Sequence, residues 1–269
     1  MGRDSTESQT FSFTRRWCSV KVIFNGELRS IDDVPASGDG WLEGEGIFET
    51  IKIVGNKAFS LVRHIARAQK SAHELGLMLP TAELISQGVE SLFAAVPQGL
   101  GMLRISFDNQ GNWLAVHMPY TEQSKSCDVR IHPQAITGDV HKRFPYKNRL
   151  EILEQARAAG FDDAITSNAA GNITEGSVTN LIVCIDGRWL TPPTSDLLLP
   201  GIVRELLIEN ELLAIESIPV ERLSEITSAF FISSLRLSHA ISSIDSRPLH
   251  LSHAFGEEIK ALAHKYSVG

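Results

Sequence analysis

HKRFPYKNRLEILEQARAAGFDDAITSNAAGNITEGSVTNLIV, residues 141–183, carries the pattern that decides the fold. Two lysines, Lys142 and Lys147, precede a stretch whose spacing predicts a helix from Leu150 to Ala159, ended by Gly160. Strands are predicted near 163–167 and 179–185, and after the first of them the tight turn AAGN leads to Thr174, Glu175 and Gly176 on the next strand. This arrangement is able to bring an amine and a carboxylate together. Pyridoxal phosphate needs that pair: the amine forms a Schiff base with its aldehyde, and the carboxylate keeps its ring nitrogen protonated. A lone lysine is as a rule a solvated surface group, so the pattern alone leaves both lysines open.

Outward from this segment, LLLPGIVRELLIE at 197–209 is a Pro-Gly turn running straight into an apolar helix, expected from Ile202 to about Leu213. The free N–H groups of Ile202 and Val203 at the positive end of that helix suit a phosphate, although an ordinary helix entry reads the same way. A strand at 229–234 and a helix near 255–266 complete this half. On the other side, β-branched runs at 20–24 and 48–54 read as strands. Ile65, Ala68, Ala72 and Leu75 recur at helical spacing from Leu61 to Leu75, with Gly76 placed to end the helix, and a second helix follows at 82–96. GMLRISF and WLAVH flank DNQGN as a hairpin. Strands and helices interspersed without a steady βαβ period predict an α+β protein of two domains. The expected division is a flexible tail at 1–18, a small domain at 19–117, a linker at 118–126 and a larger domain at 127–269.

Composition narrows the function. With 43% hydrophobic and 21% charged residues over 269 positions, the chain has the makeup of a folded globular protein. A net charge of -7 without a basic run argues against nucleic acid. Cys18, Cys127 and Cys184 lie far apart with no CxxC, so neither a disulfide framework nor a structural zinc site is expected, and a reducing cytoplasm fits. No apolar stretch reaches membrane-helix length and no hydrophobic leader follows Arg15 and Arg16, so neither anchor nor export is expected. Hydrolase elbow, zincin, phosphate-loop and dinucleotide motifs are absent. His250 and His253 are the only close histidine pair, and no metal site is expected there.

Five ordered motifs accompany the lysine segment: GEGIFETIKI, LVRHIARAQKSAHELGL, AAGNITEGSVTNLIV, LTPPTSDLLLPGIVR and FFISSLRLSHAISSID. In this order the sequence resembles the class IV aminotransferases, the fold-type IV pyridoxal phosphate enzymes, from about Val20 to the C-terminus. The resemblance implies a D-amino acid aminotransferase-like fold, with a small N-terminal α/β domain, a larger C-terminal pseudo-barrel domain and the cofactor between them. It also implies a homodimer with a small-molecule amine substrate. Carried over by motif, Arg67 is implied to grip the cofactor phosphate, with the backbone N–H groups of Ile202 and Val203 and the hydroxyl of Ser234. Many relatives have threonine where Val203 stands, so here only its backbone donor is implied. Glu175 is implied to pair with the ring nitrogen. Lys142 precedes Gly160 by 18 residues and Glu175 by 33, the spacing of the Schiff-base lysine in relatives, whereas Lys147 is read as a solvated helix-entry residue. Tyr146 falls where relatives place a tyrosine bonded to the cofactor's phenolic oxygen, with a packing role as its alternative.

Among the activities of this family, Thr50 in GEGIFET and the Ser-Leu-Arg loop at 234–236 resemble 4-amino-4-deoxychorismate lyases more than branched-chain enzymes. The expected reaction is therefore loss of pyruvate from aminodeoxychorismate to give the folate precursor 4-aminobenzoate. The alternative is a branched-chain or D-amino acid aminotransferase with a 2-oxo acid acceptor; more remote is a paralogue that binds without turnover. Arg104 and Arg236 are candidates to meet a substrate carboxylate, and a structural ion pair is the other reading of each.

Overall fold

The computed structural model describes residues 20–37 and 40–266; the tail expected at 1–18 lies outside them. Two short turns start the chain's first sheet. Asn25 and Gly26, both at positive φ, fold β1 (Lys21–Phe24) back on β2 (Glu27–Ser30), and Gly55 and Asn56 do the same between β3 (Gly46–Val54) and β4 (Lys57–Ala58). The helices α1 (Leu61–Leu75) and α2 (Ala82–Ala95) follow, then the hairpin of β5 (Leu100–Asp108) and β6 (Trp113–Pro119). In space these strands run β2-β1-β6-β5-β3-β4. Ile65, Ala68 and Ala72 of α1 and Ile85, Val89 and Leu92 of α2 are buried with Ile51, Ile53, Leu103 and Ile105 of the sheet, as their helical spacing requires. Gly76 ends α1 at φ 69°. The last strand, β6, runs through Pro119, two residues into the segment expected to be linker.

The second half opens with β7 (Cys127–Ile131) and then sends a short strand back to the first sheet. This is β8 (Arg143–Phe144), whose residues pair with Gly46 and Ile47 of β3. Gly46 is therefore flanked by β5 and β8 at once, and a methyl group there would overlap the Phe107 carbonyl oxygen and the Phe144 ring. Next come α3 (Lys147–Ala158), β9 (Asp163–Ser167), β10 (Asn172–Gly176), β11 (Asn180–Ile185) and β12 (Arg188–Thr191). They lead to α4 (Ile202–Glu209), β13 (Ala214–Ile215) and β14 (Ile218–Pro219), then β15 (Ser228–Ser233), β16 (Leu237–Ile244), β17 (Arg247–Pro248) and α5 (His253–Lys265). The order β11-β15-β16-β7-β9-β10 returns to β11 through one pair, Glu175 with Asn180, closing a ring of six strands. Val129, Ile165, Ile173, Leu181, Val183, Phe231 and Ile241 fill it. The result is an α+β fold with a barrel-like sheet.

Two helix ends differ from expectation for local reasons. The helix α3 begins at Lys147 rather than Leu150, its first backbone bond running from the Leu150 N–H to the Tyr146 carbonyl. The helix α4 stops at Glu209, short of Leu213. Glu211 takes φ 59°, its N–H bonds the Ile208 carbonyl, and the Leu212 N–H reaches back to the Leu207 carbonyl, a left-handed terminus formed without glycine.

Gly46→Ala forces backbone against backbone at the strand shared by β5 and β8. It is expected to lower unfolding stability by about 2 kcal/mol or more in urea titration, near the upper part of the range for overpacking.

Candidate active site

On β3, Phe48 and Thr50 face one side of the sheet and Glu49 the other, toward α1. Glu49 is buried there between two helix residues one turn apart. Arg67 donates from Nε to Glu49 Oε1 at 2.9 Å and from a terminal nitrogen to Oε2, and His64 Nδ1 lies 2.6 Å from the same Oε2. Burial alone would raise the Glu49 carboxyl; Arg67 and His64 outweigh it and hold it at about 2. Burial likewise pushes His64 down, and its Nδ1 donates to the carboxylate, which can only accept. The remaining Arg67 nitrogen donates to the Pro200 carbonyl at 2.8 Å, which ties α1 to the turn before α4. Gly201 caps α4 without a side-chain bond, leaving first-turn N–H groups directed at the space beside Arg67.

Lys142 sits where the two sheets meet. Its carbonyl accepts the Phe48 N–H at 2.8 Å, and its Nζ lies 4.6 Å from the Phe48 ring centre and 5.1 Å from that of Tyr146. Phe48 packs edge-on against Tyr146 at 5.0 Å and Trp41 at 4.5 Å. Burial, reinforced by the Arg67 charge, draws the Lys142 amine from 10.5 to about 7. Such an amine is largely unprotonated in mildly alkaline solution and is a competent nucleophile.

Glu175 stands on the pair that closes the barrel. Its Oε2 accepts the Asn180 Nδ2 and the Leu199 N–H, each at 3.3 Å, while Asn180 also donates to the Leu199 carbonyl at 2.8 Å. Arg149 of α3 lies against Oε1 as an ion-pair partner, yet no hydrogen bond of ordinary geometry reaches that oxygen. The Tyr146 hydroxyl, on the cap residue of the same helix, is near enough for its charge and that of Arg149 to act on each other. Gly201 leaves room for this arrangement, since a methyl group there would strike Asn180 Oδ1.

One pocket gathers nearly every residue singled out in the sequence: Thr50, Arg67, Arg104, Lys142, Tyr146 and Glu175, together with Ile202, Val203, Ser234 and Arg236. Arg104 is paired in register with Thr50 across β3 and β5, and its guanidinium stacks 4.0 Å from the Trp41 ring centre. Arg236 enters from the loop between β15 and β16, its own N–H donating to Ser233 Oγ at 3.1 Å. Lys147 stands apart, 77% exposed and paired with Glu151. Sequence reasoning passed over Glu49, Arg149 and Asn180. Alternation along FET and the three-residue step from Tyr146 to Arg149 were signals for the first two; Asn180 is reached only through strand pairing. Among the described residues no group of three His, Cys, Asp or Glu side chains is arranged to hold a metal.

The profile of the family described as Amino-transferase class IV matches residues 46–244, and the chain belongs to that family. D-alanine aminotransferase of Bacillus licheniformis is 29% identical, with 71% of this chain and 74% of that protein covered. A putative aminodeoxychorismate lyase of Schizosaccharomyces pombe is 25% identical over 63% of this chain and 75% of its own. The crystal structure of a branched-chain aminotransferase from Thermoproteus uzoniensis superposes with a TM-score of 0.79 at 26% identity, covering 92% and 93% of the two chains. The protein is thus a pyridoxal phosphate-dependent enzyme with the two-domain fold-type IV architecture. Its pocket fits that cofactor: an amine held near neutrality, an arginine beside uncapped helix N–H groups, and a buried carboxylate, Glu175, on the same wall.

Because the Glu49 pKa is depressed in the folded state, its ion pair stabilises the protein fully above 4.5, and that contribution is lost as pH falls toward about 2. Glu49→Gln is expected to cost about 3 kcal/mol at neutral pH, and the gap from wild type should close across that acid window in pH-dependent urea melts.

Proposed function

We propose that this enzyme is a 4-amino-4-deoxychorismate lyase, releasing pyruvate and leaving 4-aminobenzoate. The observation that carries the reading is the pair Arg104 and Arg236, brought by different sheets to the pocket that also holds Lys142. Aminodeoxychorismate bears two carboxylates, one on its ring and one on its enolpyruvyl ether, and two separated guanidinium groups suit them. The Ser-Leu-Arg loop and Thr50 support the same choice.

In this reading Arg67, the Ile202 and Val203 N–H groups and the Ser234 hydroxyl hold the cofactor phosphate. Glu175 meets the ring nitrogen and Tyr146 the phenolic oxygen. The bound cofactor supplies an electron sink. Lys142 would hold the cofactor's aldehyde, and its amine, when free, is placed to take the proton from the amine-bearing carbon of the substrate ring. The bond from the substrate ring to the enolpyruvyl oxygen then breaks, the ring becomes aromatic, and the departing enol takes up a proton to become pyruvate. Atoms balance with no outside oxidant. Trp41 and Phe48 wall this face and limit the entry of water.

The second reading is an amino acid aminotransferase with a 2-oxo acid acceptor, favoured by the similarity to the D-alanine and branched-chain enzymes. The same two arginines suit a dicarboxylic acceptor. From the resemblance we also infer a homodimer acting in the cytoplasm.

Incubation with aminodeoxychorismate is expected to yield fluorescent 4-aminobenzoate, and Arg104→Ala or Arg236→Ala to raise KM at least tenfold, roughly one charged hydrogen bond. Conversion of the bound pyridoxal form to the pyridoxamine form by amino acids, with no 4-aminobenzoate, would establish the transaminase reading instead. Since the Lys142 amine titrates at about 7, pyridoxal phosphate uptake by the cofactor-free protein should quicken as pH rises through that value and then level off, well short of 10.5. Borohydride should fix the cofactor to Lys142, with no label in Lys142→Ala.

A further inference from the structure

Arg149 lines the cavity that adjoins the pocket behind Lys142, Tyr146 and Glu175, and the proposed reaction leaves it unused. It lies on the first turn of α3 with its side chain 15% exposed, one guanidinium nitrogen against Glu175 Oε1, and another, NH1, buried without a hydrogen-bond partner. The Tyr146 hydroxyl lines the same cavity and acts electrostatically on this side chain. Arg149 therefore adjoins two groups, one facing the nitrogen of the cofactor ring and the other its phenolic oxygen, if Glu175 and Tyr146 act as the reading above assigns; the inference rests on that reading.

Two physical consequences follow from a guanidinium in that position. Its rigid guanidinium, in contact with Glu175 and beside Tyr146, restricts the separation of those groups and hence the plane of a ring held between them. Its charge also competes for the Glu175 carboxylate. An anion shared between two cations binds each less strongly, and in a dry pocket the competition is poorly screened. Other charges bear on the same space. Asp163 at the start of β9 and Asp139 before β8 act on Arg149, Arg67 acts on Tyr146, and Arg67, Glu49 and Arg104 surround Lys142. Of these, Arg149 is the cation in direct contact with Glu175.

We propose that Arg149 is a positioning residue of the cofactor site: a single guanidinium yokes Tyr146 to Glu175 and, by sharing the Glu175 carboxylate, limits how tightly the cofactor ring holds its proton. It touches no reacting atom and acts through those two side chains.

The test is a spectroscopic pH titration of the protein loaded with pyridoxal phosphate, with no substrate present. In Arg149→Gln the carboxylate belongs to the ring alone, and the titration midpoint of the ring nitrogen, read by 15N NMR of ring-labelled cofactor, is expected to rise by about one pH unit or more. Arg149→Lys keeps the charge and should stay within a few tenths of a unit of wild type. An unmoved midpoint in a folded, cofactor-loaded Arg149→Gln protein overturns this inference and leaves the proposed reaction standing. If Arg149→Gln does not fold, the decision passes to Arg149→Lys: a wild-type midpoint supports the role of charge, and a midpoint displaced by a unit overturns it. Failure of the wild-type protein to form a borohydride-reducible visible band at Lys142 overturns both readings together.

Discussion

The barrel of the second half is closed by a single residue pair, Glu175 opposite Asn180, and the same two side chains hold the buried carboxylate at the pocket's end. A strand ring cannot close without register, and register here sets which way Glu175 points. The Leu199 N–H and carbonyl complete the arrangement, so the turn before α4 is tied to the closure as well. From that turn Pro200 reaches across to Arg67, and Arg67 to Glu49. A continuous chain of polar contacts therefore runs from barrel seam to N-terminal helix, through groups that would each be costly to leave unpaired.

Much of this is legible in the sequence alone. Helix α1 announced itself through Ile65, Ala68 and Ala72, and its end through Gly76. The residues expected to share a pocket were spread from Thr50 to Arg236, yet they line one cavity, because ordered motifs encode a fold and a fold fixes where its loops converge. What escaped notice was of a different kind. Glu49 lies between two chosen positions, and only the alternation of a strand sends it to the opposite face. Asn180 matters through a cross-strand partner that no local pattern names. The ends of α3 and α4 moved because backbone bonds at Tyr146 and Glu211, rather than the apolar period, decide where those helices begin and stop.

Electrostatics divides the pocket into regions with separate tasks. At one end Arg67 and the α4 terminus supply positive potential suited to a phosphate; at the other Glu175 supplies negative charge moderated by Arg149. Between them Lys142 is held among aromatic rings and cations, which makes the ammonium form expensive and the free amine accessible. The family resemblance explains why such a layout exists, while the depressed amine and the satisfied Glu49 show how this chain realises it.

Strand β8 ties the Lys142 backbone to the first sheet, whereas Glu175 belongs to the barrel. The chain consequently passes between the two layers more than once, at the segment before β7 and again on either side of β8. Several tethers restrain the two layers more than one would, so the Lys142 backbone stays registered to the half that carries Phe48.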